Sequence, residues 1–277
     1  MDIRCIALDL DRTTLNREGR LSPGNRQALE YAISRGIAVV PASGRAFTTL
    51  PQDICDIPGI AYVVTSNGAA VCGLPGGEVL MRRCIPTQSV AKIMALSDEP
   101  GVTYEAFVNG VAYADTGYMA DPLGYGASPD SLAYLFTTRR PAENIQLFIE
   151  SHAHELDSID VICWDRAKME RLRRRFAFEN MEREVYITSS SHQRLEFSHL
   201  NTGKHVGVAW VLEQLGLSPS QRAAFGDGDN DAHMRELAGV GIAMANATPA
   251  CRDAADYVTL HHDEDGLAWA IYNILKI

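Results

Sequence analysis

The sequence predicts an α/β protein with a doubly wound parallel sheet, interrupted by an inserted α+β domain. Short apolar runs alternate with helical patterns at both ends of the chain and finish in polar residues. Strands of that kind open their carboxyl ends on one ligand-binding edge. Between Met81 and about His192 the texture changes to apolar alternations, amphipathic stretches and a basic run, without further acidic strand ends. The length of 277 residues also exceeds the usual single domain. The expected division is a core of residues 1–82 and 193–277 around an insert of residues 83–192, with boundaries at Gly73–Gly77 and Ser189–Gln193.

The first element is the apolar run Ile3–Leu10, a buried strand that breaks at Asp11–Thr14 and leaves Asp9 at its carboxyl end. Ser22 as N-cap and Pro23 at the first helical position open a helix that passes through Leu29 and Ile33 and stops at Gly36. Ile37–Val40 is a second strand with Ser43 just beyond it, and Ile60–Val64 a third that ends in Thr65, Ser66, Asn67 and Gly68. Late in the chain a helix from Lys204 to Leu215 precedes the strand Ala223–Phe225, which runs into Gly226-Asp227-Gly228-Asp229-Asn230-Asp231. In a parallel sheet these polar ends share one edge.

A net charge of −10 and a pI near 5.3 argue against nucleic acid or an anionic membrane as partner. A small phosphorylated metabolite stays open, because a local cation can invert the field inside one pocket. The six cysteines are scattered, with no CxxC pair, and read as reduced core residues. No run approaches the ~18 apolar residues of a membrane helix. The expected setting is cytoplasmic, as a monomer or small homo-oligomer.

Asp9-Leu10-Asp11-Arg12-Thr13 places two carboxylates at a sheet edge, with Thr13 available to hydrogen-bond the turn. Here the chain resembles the haloacid dehalogenase superfamily, whose first motif is DxDxT. Its other motifs follow in order: Ser43 in Pro41-Ala42-Ser43-Gly44-Arg45, Lys204 in Asn201-Thr202-Gly203-Lys204-His205, and the GDxxND of Gly226–Asp231. Each short motif alone has many false matches; the ordered set does not. The position of the insert resembles the Cof-like phosphatases with a type C2B cap, and Met244–Ala247 and Asp263–Gly266 resemble that subgroup's C-terminal signatures. The resemblance implies a phosphatase with a Rossmannoid core, in which the cap loops choose the substrate.

A carboxylate attacks phosphorus only when the phosphate charge is neutralised, and clustered Asp9, Asp11, Asp227 and Asp231 repel one another. A divalent cation resolves both problems, and oxygen-only ligands fit Mg²⁺. By the resemblance, Asp9 and Asp227 give it carboxylates and Asp11 a backbone carbonyl. Asp9 is then the nucleophile, forming an aspartyl-phosphate, and Asp11 the acid and base. Ser43, Lys204 and Asn230 hold phosphoryl oxygens, and Asp231 serves the metal's outer shell or orients Lys204. Lysine in a first helical turn opposes the macrodipole by about 0.3–1 kcal/mol, so helix stability does not select Lys204. A phosphomutase on the same residues, and a phosphate-binding sensor, are the alternative readings.

Arg12 stands where the superfamily commonly has glycine, so the turn must accept a side chain. Its guanidinium points either to solvent or to the pocket mouth, where it would favour a second anionic group. Gly44, Arg45 and Asn67 are candidate substrate contacts or loop ties. The Arg171–Arg175 run reads as a solvated helix face. Tyr104, Tyr113, Tyr118 and Tyr125 read as core, and His152, His154, His261 and His262 have no assigned function.

Overall fold

In the computed structural model the described residues are 2–125, 127, 129–189 and 191–277. The chain forms two units, Met1–Arg45 with Leu50–Met81 and Gly203–Ile277, and Ala46–Thr49 with Arg82–Thr202. In chain order the strands are β1 (Cys5–Leu8), β2 (Ala38–Pro41), β3 (Tyr62–Thr65), β4 (Ala70–Gly73), β5 (Val79–Arg82), β6 (Thr103–Val108), β7 (Val111–Asp115), β8 (Arg139–Ala142), β9 (Leu156–Ile162), β10 (Val185–Thr188), β11 (Arg194–His199), β12 (Arg222–Gly226), β13 (Val240–Ala243) and β14 (Tyr257–Val258).

The first unit is built on a five-stranded sheet in the order β14-β13-β12-β1-β2. All four pairings in it are parallel. Period-two alternation divides β1 between the two faces. Ile6 and Leu8 join Leu29 and Leu267 on one side, while Cys5 and Ala7 join Val208, Val211 and Leu212 on the other. Helices therefore cover both faces, as in a doubly wound sheet. The Pro23–Ser34 helix begins as the sequence predicts, with the Ser22 hydroxyl accepting from Asn25 N–H at 3.1 Å.

The third expected parallel strand also takes a partner that the sequence does not announce. β3 pairs antiparallel with β4 in a small sheet of β3, β4 and β5. It also runs alongside the end of β2, through a parallel bridge from Ala42 to Val64 and with Ser43 N–H donating to the Val64 carbonyl at 2.9 Å. An apolar run cannot announce which neighbour it will find, and the Ser66–Gly68 turn folds β4 straight back onto β3.

The second unit carries a six-stranded sheet, β10-β11-β9-β6-β7-β8, antiparallel except for β7 with β8. Its apolar face packs Ile93, Ile149, Met169 and Leu172. The expected boundary near Ser189–Gln193 falls between β10 and β11, which pair with each other, so the sheet continues to His199; Ser190 lies outside the described residues. Tyr104 and Tyr118 are core residues, Tyr113 is half-buried and Tyr125 is exposed. Of the basic run, Arg173 reaches the Ser189 hydroxyl at 3.0 Å, and Arg175 reaches Glu99 at 3.1 Å and the Leu96 carbonyl at 2.7 Å.

Three carboxylates lie in register across this sheet, Glu105 beside Asp160 beside Glu196. Two arginines answer them. Arg139 donates to Glu105 at 2.7 and 2.9 Å, and Arg194 donates to Glu105 and Asp160. Burial would raise the Glu105 carboxyl, yet the two guanidiniums hold it down to about 2. Asp160, where burial dominates, is pushed up to about 8.

The stabilisation from ionised Glu105 is therefore whole above its ordinary value of 4.5 and drains as pH falls toward about 2. Urea melts should show a loss on the order of a few kcal/mol across that window, and Glu105→Gln should flatten it. An equal acid slope in both proteins would refute the assignment.

No helix among the described residues is long and apolar enough to cross a membrane. The six cysteines are free, four of them buried.

Candidate active site

The sheet order changes direction at β1, whose neighbours β2 and β12 arrive from opposite ends of the chain. Ligands bind outside the strands at such a switch point. Pairing of β1 with β12 extends past the strand, with Asp9 N–H donating to the Phe225 carbonyl at 3.1 Å. That bond anchors the backbone of Asp9, whose side chain is buried. Oδ1 accepts from Lys204 Nζ at 2.6 Å, and no donor among the described residues reaches Oδ2.

Beyond Asp9 the chain turns through Leu10–Thr14, closed by Leu15 N–H donating to the Leu10 carbonyl at 2.9 Å. Thr14, not the expected Thr13, braces the turn, its hydroxyl donating to the Asp9 carbonyl at 2.6 Å. Thr13 instead approaches Asp227 Oδ1 at 3.4 Å. Arg12 occupies the left-handed region at φ +61, which costs a non-glycine residue roughly 1 kcal/mol. Its carbonyl accepts from Asn246 Nδ2 at 2.8 Å. The side chain is 66% exposed, with Nε 3.7 Å from Asp227 Oδ2.

Lys204 opens the Lys204–Leu215 helix and is only 1% exposed. Its ammonium donates to Asp9 Oδ1 at 2.6 Å and to Asp231 Oδ1 at 2.7 Å. These two carboxylates offset the unfavourable helix end. Asp231 Oδ2 accepts from the N–H groups of Asp227 and Gly228, each at 3.1 Å. Asp231 thus folds the loop and orients the lysine, with both oxygens occupied.

Asp11 turns to Arg45, whose Nε and Nη2 donate to Oδ2 at 2.9 Å and Oδ1 at 2.6 Å. That pairing joins residues 34 apart in sequence, and no local pattern announces it. Ser43 is buried beyond β2, its N–H donating to the Val64 carbonyl at 2.9 Å and its hydroxyl accepting from Arg45 N–H at 3.1 Å. A Cβ on Gly44 would approach Asn67 Nδ2 to 3.1 Å, so the loop passes close to that amide. Asn67, at φ +50, accepts from Asn230 Nδ2 at 3.3 Å through Oδ1 and from Gly203 N–H at 2.9 Å through its carbonyl.

Gly68 and Gly203 are a pair that sequence reading missed. A Cβ on Gly68 would lie 2.1 Å from the Gly203 carbonyl oxygen, at φ +87. The contact sets the residue just before Lys204. Gly68→Ala should therefore lower the melting temperature by several degrees and kcat/KM by about tenfold or more. Gly19→Ala is the control, since Gly19 has a similar φ of +71 but open space around it. If both variants lost the same activity, the contact would carry no positioning role.

Asp9, Asp227 and Asp231 offer oxygens within 4.8 Å of one another. Burial pushes the Asp9 carboxyl well above the usual range, with Asp231, Asp227 and Asp11 adding to the rise and Lys204 opposing it. Asp227 is pushed up to about 7 by burial and then by Asp231, against Arg12 and Lys204. For Lys204, burial favours the neutral amine, but Asp231 and Asp9 more than reverse that. Crowded carboxylates with unrelieved repulsion and oxygen-only donors fit a hard divalent cation. The Asp11 carboxylate, held by Arg45, lies outside this trio. His261, His262 and Asp263 also bring ligand atoms within 4.8 Å. There, however, Asp263 is paired with Arg17, and His262 Nδ1 lies 2.9 Å from the Leu15 carbonyl.

The family model described as haloacid dehalogenase-like hydrolase matches residues 6–271. A 5-amino-6-(5-phospho-D-ribitylamino)uracil phosphatase of Bacillus subtilis is 27% identical over 273 residues, covering 98% of this chain and 95% of the relative. A second B. subtilis phosphatase is 27% identical over 296 residues, covering 99% and 100%. Among solved structures, a haloacid dehalogenase-like hydrolase from B. subtilis superposes with a TM-score of 0.83 at 27% identity, covering 98% of this chain and 100% of that one. A sugar phosphatase of subclass IIB shares the fold, with a TM-score of 0.81 at 22% identity over 99% and 100% of the two chains.

Proposed function

The chain belongs to the haloacid dehalogenase-like hydrolase family, and from that premise we propose that it hydrolyses small organic phosphate monoesters through an aspartyl-phosphate on Asp9. The observation that carries this reading is the asymmetry of the Asp9 carboxylate, with one oxygen fixed by a buried ammonium and the other reached by no donor. Oδ2 attacks phosphorus, and the ester P–O bond breaks. The departing alkoxide takes a proton. Water then attacks the acyl phosphate, gives up a proton, and releases inorganic phosphate with Asp9 restored.

Asp11 is the proton carrier in both steps. In the resting structure both its oxygens accept from Arg45, so protonating a leaving group requires that pairing to break. Ser43, Lys204 and Asn230 are the groups to hold phosphoryl oxygens, a stabilisation typically worth ~3–4 kcal/mol for one donor. Enzymes of this family generally use a divalent metal; Asp9 and Asp227, with the Asp11 carbonyl, would hold Mg²⁺, which supplies charge neutralisation when bound. Residues 83–192 are read as the cap that selects among small phosphorylated metabolites in the cytoplasm. Sugar phosphates lead the candidates, in keeping with a relative whose named substrate is a phosphorylated ribityl compound.

The test is a panel of phosphate esters assayed for free phosphate with Mg²⁺ and after exhaustive chelation. Release should vanish on chelation and return with Mg²⁺. Undiminished turnover in chelator, or transfer of phosphate between sugar positions without release, would overturn the reading.

A further inference from the structure

The site contains three cations besides any metal, and they are not equivalent. Lys204 is spent on Asp9 and Asp231, and Arg45 on both oxygens of Asp11. Arg12 is different. Its guanidinium donates no hydrogen bond among the described residues, and its nearest carboxylate oxygen is 3.7 Å away on Asp227. It is also held in an unfavourable place, at φ +61, by a turn whose carbonyl at Arg12 is tied to Asn246. Glycine would accept that conformation freely. The turn therefore presents a cation with open donors on the exposed side of the carboxylate trio.

We propose that Arg12 is a specificity-determining residue that selects phosphate esters carrying a second anionic group, a carboxylate or another phosphate, near the esterified carbon. This rests on the phosphatase reading above. An arginine fork pairs with either anion through two parallel N–H donors. In a chain of net charge −10 with four carboxylates at the site, a substrate with a further negative group is otherwise repelled. Arg12 reverses that repulsion at one position. Because the guanidinium is mostly exposed, its effect is that of a solvent-screened pair, roughly fivefold in discrimination.

The experiment compares matched esters that differ by one anion: 2-phosphoglycerate against glycerol 2-phosphate, and 3-phosphoglycerate against glycerol 3-phosphate. For each enzyme the ratio of kcat/KM within a pair is read, for wild type, Arg12→Gly and Arg12→Lys. Equilibrium binding of the same esters to Asp9→Asn, with and without Arg12→Gly, gives the ratio free of turnover. The wild type should prefer the more anionic member. Arg12→Gly should lower that ratio about fivefold, through KM rather than kcat, and Arg12→Lys should restore part of it. Glycine relieves the backbone, so the variant folds. An unchanged ratio in Arg12→Gly overturns the proposal while leaving phosphatase activity standing. A wild type that hydrolyses no ester sinks the phosphatase reading first.

Discussion

Asp9→Asn is expected to reduce phosphate release by about 10⁴-fold or more, the loss typical of removing a covalent nucleophile. The amide preserves the shape of the side chain, and its oxygen can still accept from Lys204, which lies 2.6 Å from Asp9 Oδ1. What disappears is the carboxylate oxygen that no donor reaches. The variant also removes one member of a crowded acidic group, so its melting temperature without metal should equal or exceed that of the wild type. Phosphate release under saturating ester and Mg²⁺, with a metal-free thermal melt, reads both quantities. Activity within tenfold of the wild type would exclude Asp9 as the nucleophile.

Lys204→Met separates structure from chemistry in the same site. The lysine is 1% exposed and lies between two buried carboxylates. Truncating one partner of a buried charge group typically costs about 3–5 kcal/mol, because the remaining charges lose their compensation. The metal-free variant should melt well below the wild type. Added Mg²⁺ should recover part of that loss, since a cation near Asp9 and Asp227 neutralises the same charge. Turnover should fall about 10²–10³-fold even where Mg²⁺ restores the fold, through loss of a phosphoryl-oxygen donor. A variant as stable as the wild type without metal would contradict the buried triad of Asp9, Lys204 and Asp231.

Much of this was legible in the residues, for local reasons. Apolar runs that stop at Asp9 and at Gly226 mark strand ends, and Ser22-Pro23 marks a helix start, because each signal involves neighbours in sequence. Lys204 stood out because helix stability alone would not place a cation there. The missing parts are contacts between distant residues. Arg45 with Asp11, Asn246 with the Arg12 carbonyl, and Gly68 with Gly203 follow no periodicity. The acidic row of Glu105, Asp160 and Glu196 was hidden differently. Each sits in a different strand, and only the pairing register brings them side by side. The antiparallel pairing of β3 with β4 likewise depends on which strand folds against it.

The place of β1 has a consequence for how the chain is made. Residues Cys5–Leu8 leave the ribosome long before their partner on one side, Arg222–Gly226. Until then β2 covers one edge of β1, and the other is an open row of backbone donors and acceptors. Synthesis at about 5–20 residues per second leaves that edge exposed for tens of seconds. A stalled or truncated product ending within the second unit would carry Asp9 and Ser43 but neither Lys204 nor Asp227. Such a fragment would be sticky and inert, so catalytic competence and protection from aggregation arrive together, with the same late strand.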